Sequence, residues 1–248
     1  MAVFVAPDLR PRRRIFAGPF LVNTEVIMRS ITFLYGFIFL WLVWAVPASQ
    51  ADSTGTIYGQ VEIRSKDNRS LDDHSGVVIY LKEVNGNKGF GPSKGGHSMA
   101  SENMKFAPEV LPVLVGTSVV FPNKDDTVHN AFSISEPKKF DLGRYGYGEE
   151  NSVKFDKPGS VNVYCKIHPR MTGYILVLAN PYFTLTDEKG NYSIKDVPIG
   201  TYTVVSWFPF GDSQEQKVDL ARELRTKADF SVIKLRNSNP RKSLVDQK

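Results

Sequence analysis

The stretch VNVYCKIHPRMTGYILV, residues 161–177, combines strand-forming residues with possible metal donors. Both of its ends are rich in valine, tyrosine and isoleucine, which favour β-strands. Between the ends lie the only cysteine of the chain, a histidine three positions later and a methionine three positions after that. Pro169 stiffens this segment because its ring fixes one backbone angle. The stretch therefore predicts two strands joined by a tight loop that carries sulfur and imidazole donors.

Strand patterns also occupy most of the remaining chain. Residues 54–63 and 75–84 are rich in valine, isoleucine and tyrosine with partial alternation, and turn signals recur about every 8–12 residues further on. Such spacing is typical of β-sandwiches and barrels. The glycine-rich segment 85–98 predicts a loop or linker, and the polar segment 236–248 predicts a disordered tail. The sequence therefore predicts an all-β protein.

The beginning of the chain has the pattern of an export signal. An uncharged apolar run at residues 31–46 follows Arg29 and precedes the small-residue sequence PASQADS. A basic start, an apolar centre and small residues before a cleavage point are the parts of a signal peptide. We therefore predict a signal peptide at residues 28–51, cleavage near Ala51 and a periplasmic protein.

Residues 1–27 do not fit this pattern, and we expect them to lie upstream of the true start. Two alternatives stay open: Arg13 and Arg14 as a twin-arginine signal, and the apolar run as an uncleaved anchor, although it is shorter than the ~20 residues that span a bilayer. Residues 52–248 hold 26 basic and 24 acidic residues, a net charge of +2. This small charge predicts no nucleic-acid partner, and we expect no stable membrane insertion after cleavage.

The donor set suggests a particular metal. Cys165, His168 and Met171 follow one another in a single loop, and His129 lies 36 residues before the cysteine. Two imidazoles, one thiolate and a weak thioether match the trigonal site of type 1 copper. Zinc prefers four strong ligands, and covalent haem needs a C-x-x-C-H motif, which is absent. A single cysteine in an exported protein also excludes an internal disulfide.

Two further histidines lie outside this set. His74, in the polar sequence DDHSG, is predicted to be solvated. His97 stands close to Met99 and Met104, and two interpretations stay open. One is a flexible loop followed by core methionines, and the other is a second, weaker Cu(I) site made of soft ligands.

The sequences VVFPNKDDTVHNAFS, residues 119–133, and VNVYCKIHPRMTGYILV resemble the cupredoxins, in particular plastocyanin-like and amicyanin-like proteins. A wider segment, roughly residues 104–208, resembles exported cupredoxin-like proteins that carry the label methylamine utilization protein. The family implies a Greek-key β-sandwich that binds one type 1 copper ion.

The resemblance also implies the role of individual residues. His129, Cys165 and His168 would be equatorial copper ligands and Met171 the axial ligand, while Asn130 would tie the two ligand loops together. In this family the second histidine ligand usually lies within a hydrophobic patch that meets redox partners. Three residues would contribute to that patch here: Ile167, Pro169 and Phe132.

A second resemblance concerns the flanking segments. The sequence DEKGNYSIKDVPIGTYTVVSW, residues 187–207, is similar to carboxypeptidase-regulatory-like, transthyretin-like β-sandwiches, and residues 54–84 resemble the first two strands of that module. The sequence therefore predicts a cupredoxin domain combined with a second small sandwich. The predicted parts are a signal region at 1–51, sandwich segments at 52–95 and 180–235, a cupredoxin domain at 96–179 and a tail at 236–248.

These predictions favour a periplasmic electron carrier that is not an enzyme. The expected partners are redox proteins such as a c-type cytochrome or a dehydrogenase. A copper chaperone or storage protein that uses the same ligands is the alternative. A third possibility is a binding module whose sandwich engages a glycan or a protein and whose copper site is vestigial.

Overall fold

The computed structural model describes residues 53–84 and 90–235, which belong to one compact unit. Within these residues there are strands and turns but no helix, so the all-β prediction is confirmed, and none of this part contains a helix suited to crossing a membrane. The predicted signal region at 1–51, the whole predicted tail at 236–248 and residues 85–89 lie outside the described residues. The strands are β1 (Thr54–Arg64), β2 (Val78–Leu81), β3 (His97–Ser98), β4 (Ala100–Glu102), β5 (Lys105–Ala107), β6 (Val110–Leu114), β7 (Thr117–Pro122), β8 (His129–Ser133), β9 (Phe140–Tyr145), β10 (Glu150–Phe155), β11 (Gly159–Tyr164), β12 (Thr172–Leu178), β13 (Phe183–Leu185), β14 (Asn191–Pro198), β15 (Thr201–Trp207), β16 (Gln214–Asp219), β17 (Arg225–Lys227) and β18 (Phe230–Ile233).

Strands from the two ends of the described chain pair with each other. One sheet has the order β14-β1-β17, with β18 also paired to β1, and a second has the order β13-β2-β15-β16. Buried and less buried residues alternate along β1, as a strand with one face on a core requires. Gly59 is needed there because a Cβ would come within 2.0 Å of the Ala228 carbonyl oxygen. The apolar side chains of these two sheets form one cluster. We name it the outer core, because its strands come from the two ends of the described chain.

Strands from the middle of the chain form a separate group of sheets. A five-stranded sheet has the order β6-β12-β11-β8-β9, a three-stranded sheet has the order β10-β7-β3, and β4 and β5 make a hairpin. Alternate residues of β7, β10, β11 and β12 are buried together, including Phe121, Phe155, Val163 and Ile175. We name this second cluster the inner core. It also contains Cys165 and Met171, two of the four predicted donors.

Strand β12 contributes to both cores, and all seven of its residues are buried. Tyr174 and Leu176 point into the outer core, whereas Ile175 and Val177 point into the inner core. The ring of Tyr174 lies edge-on to Phe210, with their centroids 5.2 Å apart. Successive residues of a strand face opposite sides, so a strand covered on both sides is apolar throughout. The sequence of β12, TGYILVL, contains no charged residue, as a strand between two cores requires.

The structure differs from the sequence prediction in several short strands. His97 and Ser98 were predicted to belong to a loop, but they form β3, which pairs in parallel with β7. Strand β9 was not predicted, because its sequence FDLGRY has three polar or glycine positions and only one buried residue. A strand at the edge of a sheet gains much of its stability from backbone pairing, which the side-chain pattern does not record.

The predicted domain boundaries near residues 95 and 180 stay predictions. The structure shows that β1 pairs antiparallel with β14, and that β2 pairs antiparallel with both β13 and β15. The segments on either side of the middle part therefore share sheets. The likeness of these sheets to a carboxypeptidase-regulatory-like module also stays a prediction.

Candidate metal centre

Three neighbouring strands place the predicted donors. Cys165 directly follows β11, and the loop that carries His168 and Met171 ends where β12 begins at Thr172. His129 is the first residue of β8, which lies beside β11 in the same sheet, with Tyr164 opposite Phe132. Because these strands are adjacent, residues far apart in the sequence meet at one end of the sheet.

The side chains of His129, Cys165 and His168 form one cluster. A donor atom from each lies within 4.8 Å of the other two. The two Nδ1 atoms are 3.0 Å apart, and the Cys165 Sγ is 3.8 Å from the His168 Nδ1. Bonds of about 2.0–2.3 Å to a three-coordinate ion place neighbouring donors roughly 3–4 Å apart. The observed spacing therefore fits a single metal ion held by two imidazoles and one thiolate.

Burial distinguishes the members of this cluster. His129 and Cys165 are fully buried, whereas His168 is half-buried. Met171 is 1% exposed, and its backbone N–H donates to the His168 carbonyl in a 3.0 Å hydrogen bond. That hydrogen bond closes a tight turn, which brings the methionine back toward the cysteine within the inner core. The arrangement excludes water from the sulfur and leaves one imidazole near the surface.

A carboxylate orients the buried histidine. The His129 Nε2 lies 2.8 Å from the Asp125 Oδ2. An imidazole that donates its Nε2–H to a carboxylate keeps its Nδ1 lone pair available for a metal. The Nδ1 of His129 faces the other donors, so Asp125 selects the tautomer that the centre needs.

The Asp125 carboxylate also holds a distant hairpin. The backbone N–H groups of Asn103 and Met104, in the turn between β4 and β5, donate to its two oxygens at 2.7 and 3.0 Å. Burial alone would raise the pKa of Asp125, but the hydrogen bonds from Met104, Asn103 and His129 lower it on balance. The carboxylate therefore stays ionised and joins the hairpin turn to the metal cluster.

Asn123 shapes the loop that carries Asp125. Its side-chain amide donates to the carbonyls of Thr127 and Tyr145, and its Oδ1 accepts a 2.9 Å hydrogen bond from the Asp125 N–H. The residue is 1% exposed, so these bonds form away from water. A buried amide with its groups satisfied is a rigid support, and this one fixes the loop that leads into His129.

Asn130 joins the two segments of the centre, as the geometry shows directly. Its side-chain nitrogen donates to the Asp141 Oδ1 at 2.8 Å and to the Gly143 carbonyl at 2.7 Å. Its Oδ1 accepts a 3.3 Å hydrogen bond from the N–H of Lys166, the residue after the cysteine. The strand of His129 is thereby tied to the loop of Cys165.

An ion pair closes the same network on the outside. The Lys166 ammonium contacts the Asp141 carboxylate and also lies 5.5 Å from the centre of the Phe132 ring. Lys166, followed by Asn130 and Gly143, lowers the pKa of Asp141 to about 2. Phe132 is thus covered by Lys166, and its ring contacts that of Tyr164 at a tilt of 43°. Ile167 packs against the inner core. Of the three predicted patch residues, Pro169 is exposed, and Phe132 and Ile167 are half-buried.

The exposed side of His168 opens into a groove of about 730 Å³. Burial lowers the pKa of His168, the adjacent His129 lowers it further, and Asp125 acts in the opposite direction. The imidazole is therefore neutral at neutral pH and able to offer a lone pair to a metal.

The other singled-out residues have different surroundings. Met99 is fully buried in the inner core, where a Cβ on Gly173 would come within 2.6 Å of its sulfur, while Met104 is 45% exposed. These two methionines therefore do not share one environment, which favours the interpretation of Met99 as a core residue. His74 was predicted to be solvated, but it is half-buried and its Nδ1 accepts a 2.9 Å hydrogen bond from the Ile63 N–H.

Asp125 is the residue that sequence reasoning missed. It stands four positions before His129 in the sequence KDDTVH, next to a second aspartate, Asp126. Nothing in that pattern says which of the two faces inward. The four-residue spacing before a candidate ligand was the available signal, because such a spacing allows a side chain to fold back across a turn.

Comparison with known protein families finds a match in the part of the chain that contains this geometry. Residues 94–178 match the family of copper binding proteins described as the plastocyanin/azurin family. This range contains all four predicted donors and the sheets of the inner core. No curated protein matches the chain in a sequence search.

Solved structures similar to part of this chain include several copper proteins. A Cu-containing nitrite reductase from Thermus scotoductus SA-01 is 32% identical with a TM-score of 0.34, over 36% of this chain and 23% of that protein. A purple cupredoxin from Nitrosopumilus maritimus is 24% identical with a TM-score of 0.30, over 33% of this chain and 99% of that protein. An amicyanin variant is 21% identical with a TM-score of 0.32, over 40% of this chain and 98% of that protein. Each match therefore concerns less than half of this chain.

Proposed function

We propose that this chain, whose residues 94–178 match the plastocyanin/azurin family of copper binding proteins, is an exported type 1 copper protein that carries electrons between redox proteins. The observation that carries the proposal is the convergence of the His129, Cys165 and His168 donor atoms within 4.8 Å. We assign these three residues as the copper ligands and Met171 as the weak axial ligand.

Bound copper would supply a one-electron couple between Cu(I) and Cu(II). Hydrogen bonds and a proline restrain the residues that would hold the copper. Asp125 holds His129, Asn130 ties its strand to the loop of Cys165, and Pro169 restricts the loop backbone. A ligand set that does not rearrange needs little reorganisation when an electron arrives or leaves, which favours carrier function.

The position of His168 supports the same role. It joins a buried cluster to the surface groove, so electrons have a short path from the copper ligands to a docked protein. We propose redox proteins as the donor and acceptor, with a c-type cytochrome or a dehydrogenase as the candidate classes. Export to the periplasm, through the signal predicted at residues 28–51, is part of this proposal.

The test is the visible absorption spectrum of residues 52–248 with one equivalent of Cu(II). The expected result is an intense blue band from thiolate-to-copper charge transfer that ascorbate bleaches and re-oxidation restores. The Cys165→Ser and His168→Gln variants should lose the band, whereas the matched variant His97→Gln should keep it, because His97 lies on β3 outside the cluster.

Two results would contradict the proposal. A colourless protein that still binds copper would move the function to copper handling by a chaperone or storage protein. Absence of copper binding would leave the sheets of the outer core as the functional part of the chain.

A further inference from the structure

A second cavity lies between the sheets of the outer core and the start of β6. Its volume is about 450 Å³, a size that suits a small organic molecule. It shares no lining residue with the groove beside His168, so it is separate from the surface of the copper centre. We name it the outer cavity, and the lining residues that matter here are Asp73, Glu109, Val110, Phe208, Phe210 and Lys234.

The floor of the outer cavity is apolar and firmly packed. Val110, Phe208 and Phe210 are all buried. The rings of Phe208 and Phe210 meet nearly at right angles with their centroids 5.2 Å apart, and Tyr174 packs edge-on to Phe210 at the same distance. A floor that is already packed in this way accepts an apolar group without rearranging its side chains.

Two groups of opposite charge line the same cavity. Burial raises the pKa of the Glu109 carboxyl, and Lys234 and Lys105 act in the opposite direction. The Lys234 ammonium lies 5.4 Å from the centre of the Phe210 ring. Glu109 and Lys234 therefore attract each other, but among the described residues they form no ion-pair contact. This separation leaves room for a molecule that carries both charges.

The second carboxylate of the cavity, Asp73, is already engaged. Its Oδ1 accepts a 2.9 Å hydrogen bond from the Ser75 N–H. Hydrogen bonds from Ser75 lower the pKa of Asp73, and His74 and Lys234 lower it further. Asp73 is therefore ionised and held by its own loop. Its charge makes the surroundings of the cavity more negative, which favours a ligand with an ammonium group.

The backbone fixes the positions of both charged residues. The Tyr174 N–H donates to the Glu109 carbonyl at 2.8 Å, and the Lys234 N–H donates to the Arg64 carbonyl at 2.7 Å. The two side chains therefore start from points that the sheets hold in place. A site whose charged groups are positioned before binding loses less entropy when a ligand arrives.

We propose that the outer cavity binds a free α-amino acid with an apolar side chain. The Glu109 carboxylate pairs with the ammonium group of the amino acid, the Lys234 ammonium pairs with its carboxylate, and its side chain covers Val110 and the two phenylalanines. A ligand with a single charge would leave one of the two protein charges shielded from water without a partner. This binding site is independent of the copper ligands and goes beyond the proposed electron-carrier function.

The experiment is isothermal titration calorimetry of the whole chain, with amide chemical shifts as a second readout. Three probes share a phenyl group and differ in charge: L-phenylalanine, 2-phenylethylamine and 3-phenylpropionate. L-Phenylalanine should bind most tightly. Glu109→Gln and Lys234→Met should each weaken its binding on the order of tenfold, because each removes one charge-assisted contact.

The singly charged probes should respond in opposite directions. Lys234→Met should strengthen binding of 2-phenylethylamine and weaken binding of 3-phenylpropionate, and Glu109→Gln should do the reverse. Matched controls are Glu223→Gln and Lys195→Met, which make the same changes of charge at exposed residues that do not line the cavity. Both controls should bind L-phenylalanine as the wild type does.

Three results would overturn the proposal. One is the absence of L-phenylalanine binding at millimolar concentration in both readouts. Another is an affinity for 2-phenylethylamine equal to that for L-phenylalanine, since Lys234 would then read no carboxylate. The third is L-serine binding as tightly as L-phenylalanine, since the apolar floor would then contribute nothing. All titrations are made without copper, so their failure leaves the carrier function standing, and loss of the blue band leaves the amino-acid site standing.

Discussion

The inner and outer cores are both built from β-strands, yet they bury different chemistry. The inner core contains a thiol and a thioether, Cys165 and Met171, and borders the fully buried imidazole of His129. The outer core is a cluster of aliphatic and aromatic side chains. Its tyrosines Tyr192 and Tyr202 donate their hydroxyls to backbone carbonyls, as structural residues do.

The inner core is the more costly of the two to fold, because it buries ionisable groups beside apolar ones. Burying polar and ionisable groups is unfavourable unless they are hydrogen-bonded. In the inner core that compensation comes from a network through Asp125 and Asn130, which reaches the surface at Asp141. In the outer core the Tyr192 and Tyr202 hydroxyls each need only one backbone carbonyl. Strand β12 joins the two environments, so changes on its two faces compare them directly.

The largest effect is expected from Leu176→Ala and Ile175→Ala, which open cavities on opposite faces of β12. Each should lower the free energy of unfolding by about 2–5 kcal/mol. Because the strand belongs to both cores, calorimetry should record one transition that shifts as a whole in either variant. Leu224→Ala is the control, since Leu224 is 61% exposed. Two transitions that respond separately would show that the cores unfold independently.

The next effect concerns the carboxylate that supports His129. Asp125→Asn keeps the side-chain shape but removes the charge that holds the Nε2–H. Loss of such a partner typically lowers metal affinity about 10–100-fold, measurable by competition for Cu(I) with a chelator. Asp126→Asn, at the exposed neighbouring carboxylate, should leave the affinity unchanged. Equal affinities of the two variants would show that Asp125 serves only the hairpin.

Met104, in the turn between β4 and β5, has a φ of 59°, a conformation that only glycine adopts without strain. Replacing it by glycine should therefore stabilise the fold. Met104→Gly should raise the free energy of unfolding by about 1–2 kcal/mol relative to Met104→Ala, because both lose the side chain and only glycine relieves the positive φ. Thermal unfolding of both variants measures this difference. A glycine variant no more stable than the alanine variant would remove the evidence for strain at this position.

The next prediction concerns the buried Tyr192 hydroxyl in the outer core. Tyr192→Phe removes the hydrogen bond to the Ala228 carbonyl and should cost about 1 kcal/mol. The visible spectrum of the copper form should stay the same, since Tyr192 belongs to the other core. A shifted blue band would show that the outer core influences the copper ligands.

The smallest effect is a pH dependence at Asp141. Its pKa in the folded protein is about 2, below the ordinary value of 3.8. The ionised form therefore stabilises the fold above about pH 4, and this contribution is lost as the pH falls toward 2. Because the Asp141 side chain is 44% exposed, the effect should not exceed about 1 kcal/mol. Acid titrations of the wild type and Asp141→Asn should differ in that window, and identical curves would contradict the assignment.

Much of the fold could be predicted because strands have a local signature. Residues 54–63 and 172–179 show apolar patterns that arise within a few positions, and both are strands. The donors were also visible, since cysteine, histidine and methionine are rare here and lie in one short loop. Strands β3 and β9 were not predicted, because backbone pairing with β7 and β8 holds them and their own side-chain patterns do not record that pairing.

Residue types and their spacing were enough to predict the all-β class, the similarity of the middle segment to copper-binding proteins and the set of candidate donors. Those features depend on residue types and spacings, which are properties of short stretches. Only the three-dimensional structure shows that Asp125 rather than Asp126 contacts His129, that Met104 and His168 line the same groove, and that β12 contributes to two cores. The physical reason is that these contacts join residues through sheet register and chain crossings, which no local pattern of side chains specifies.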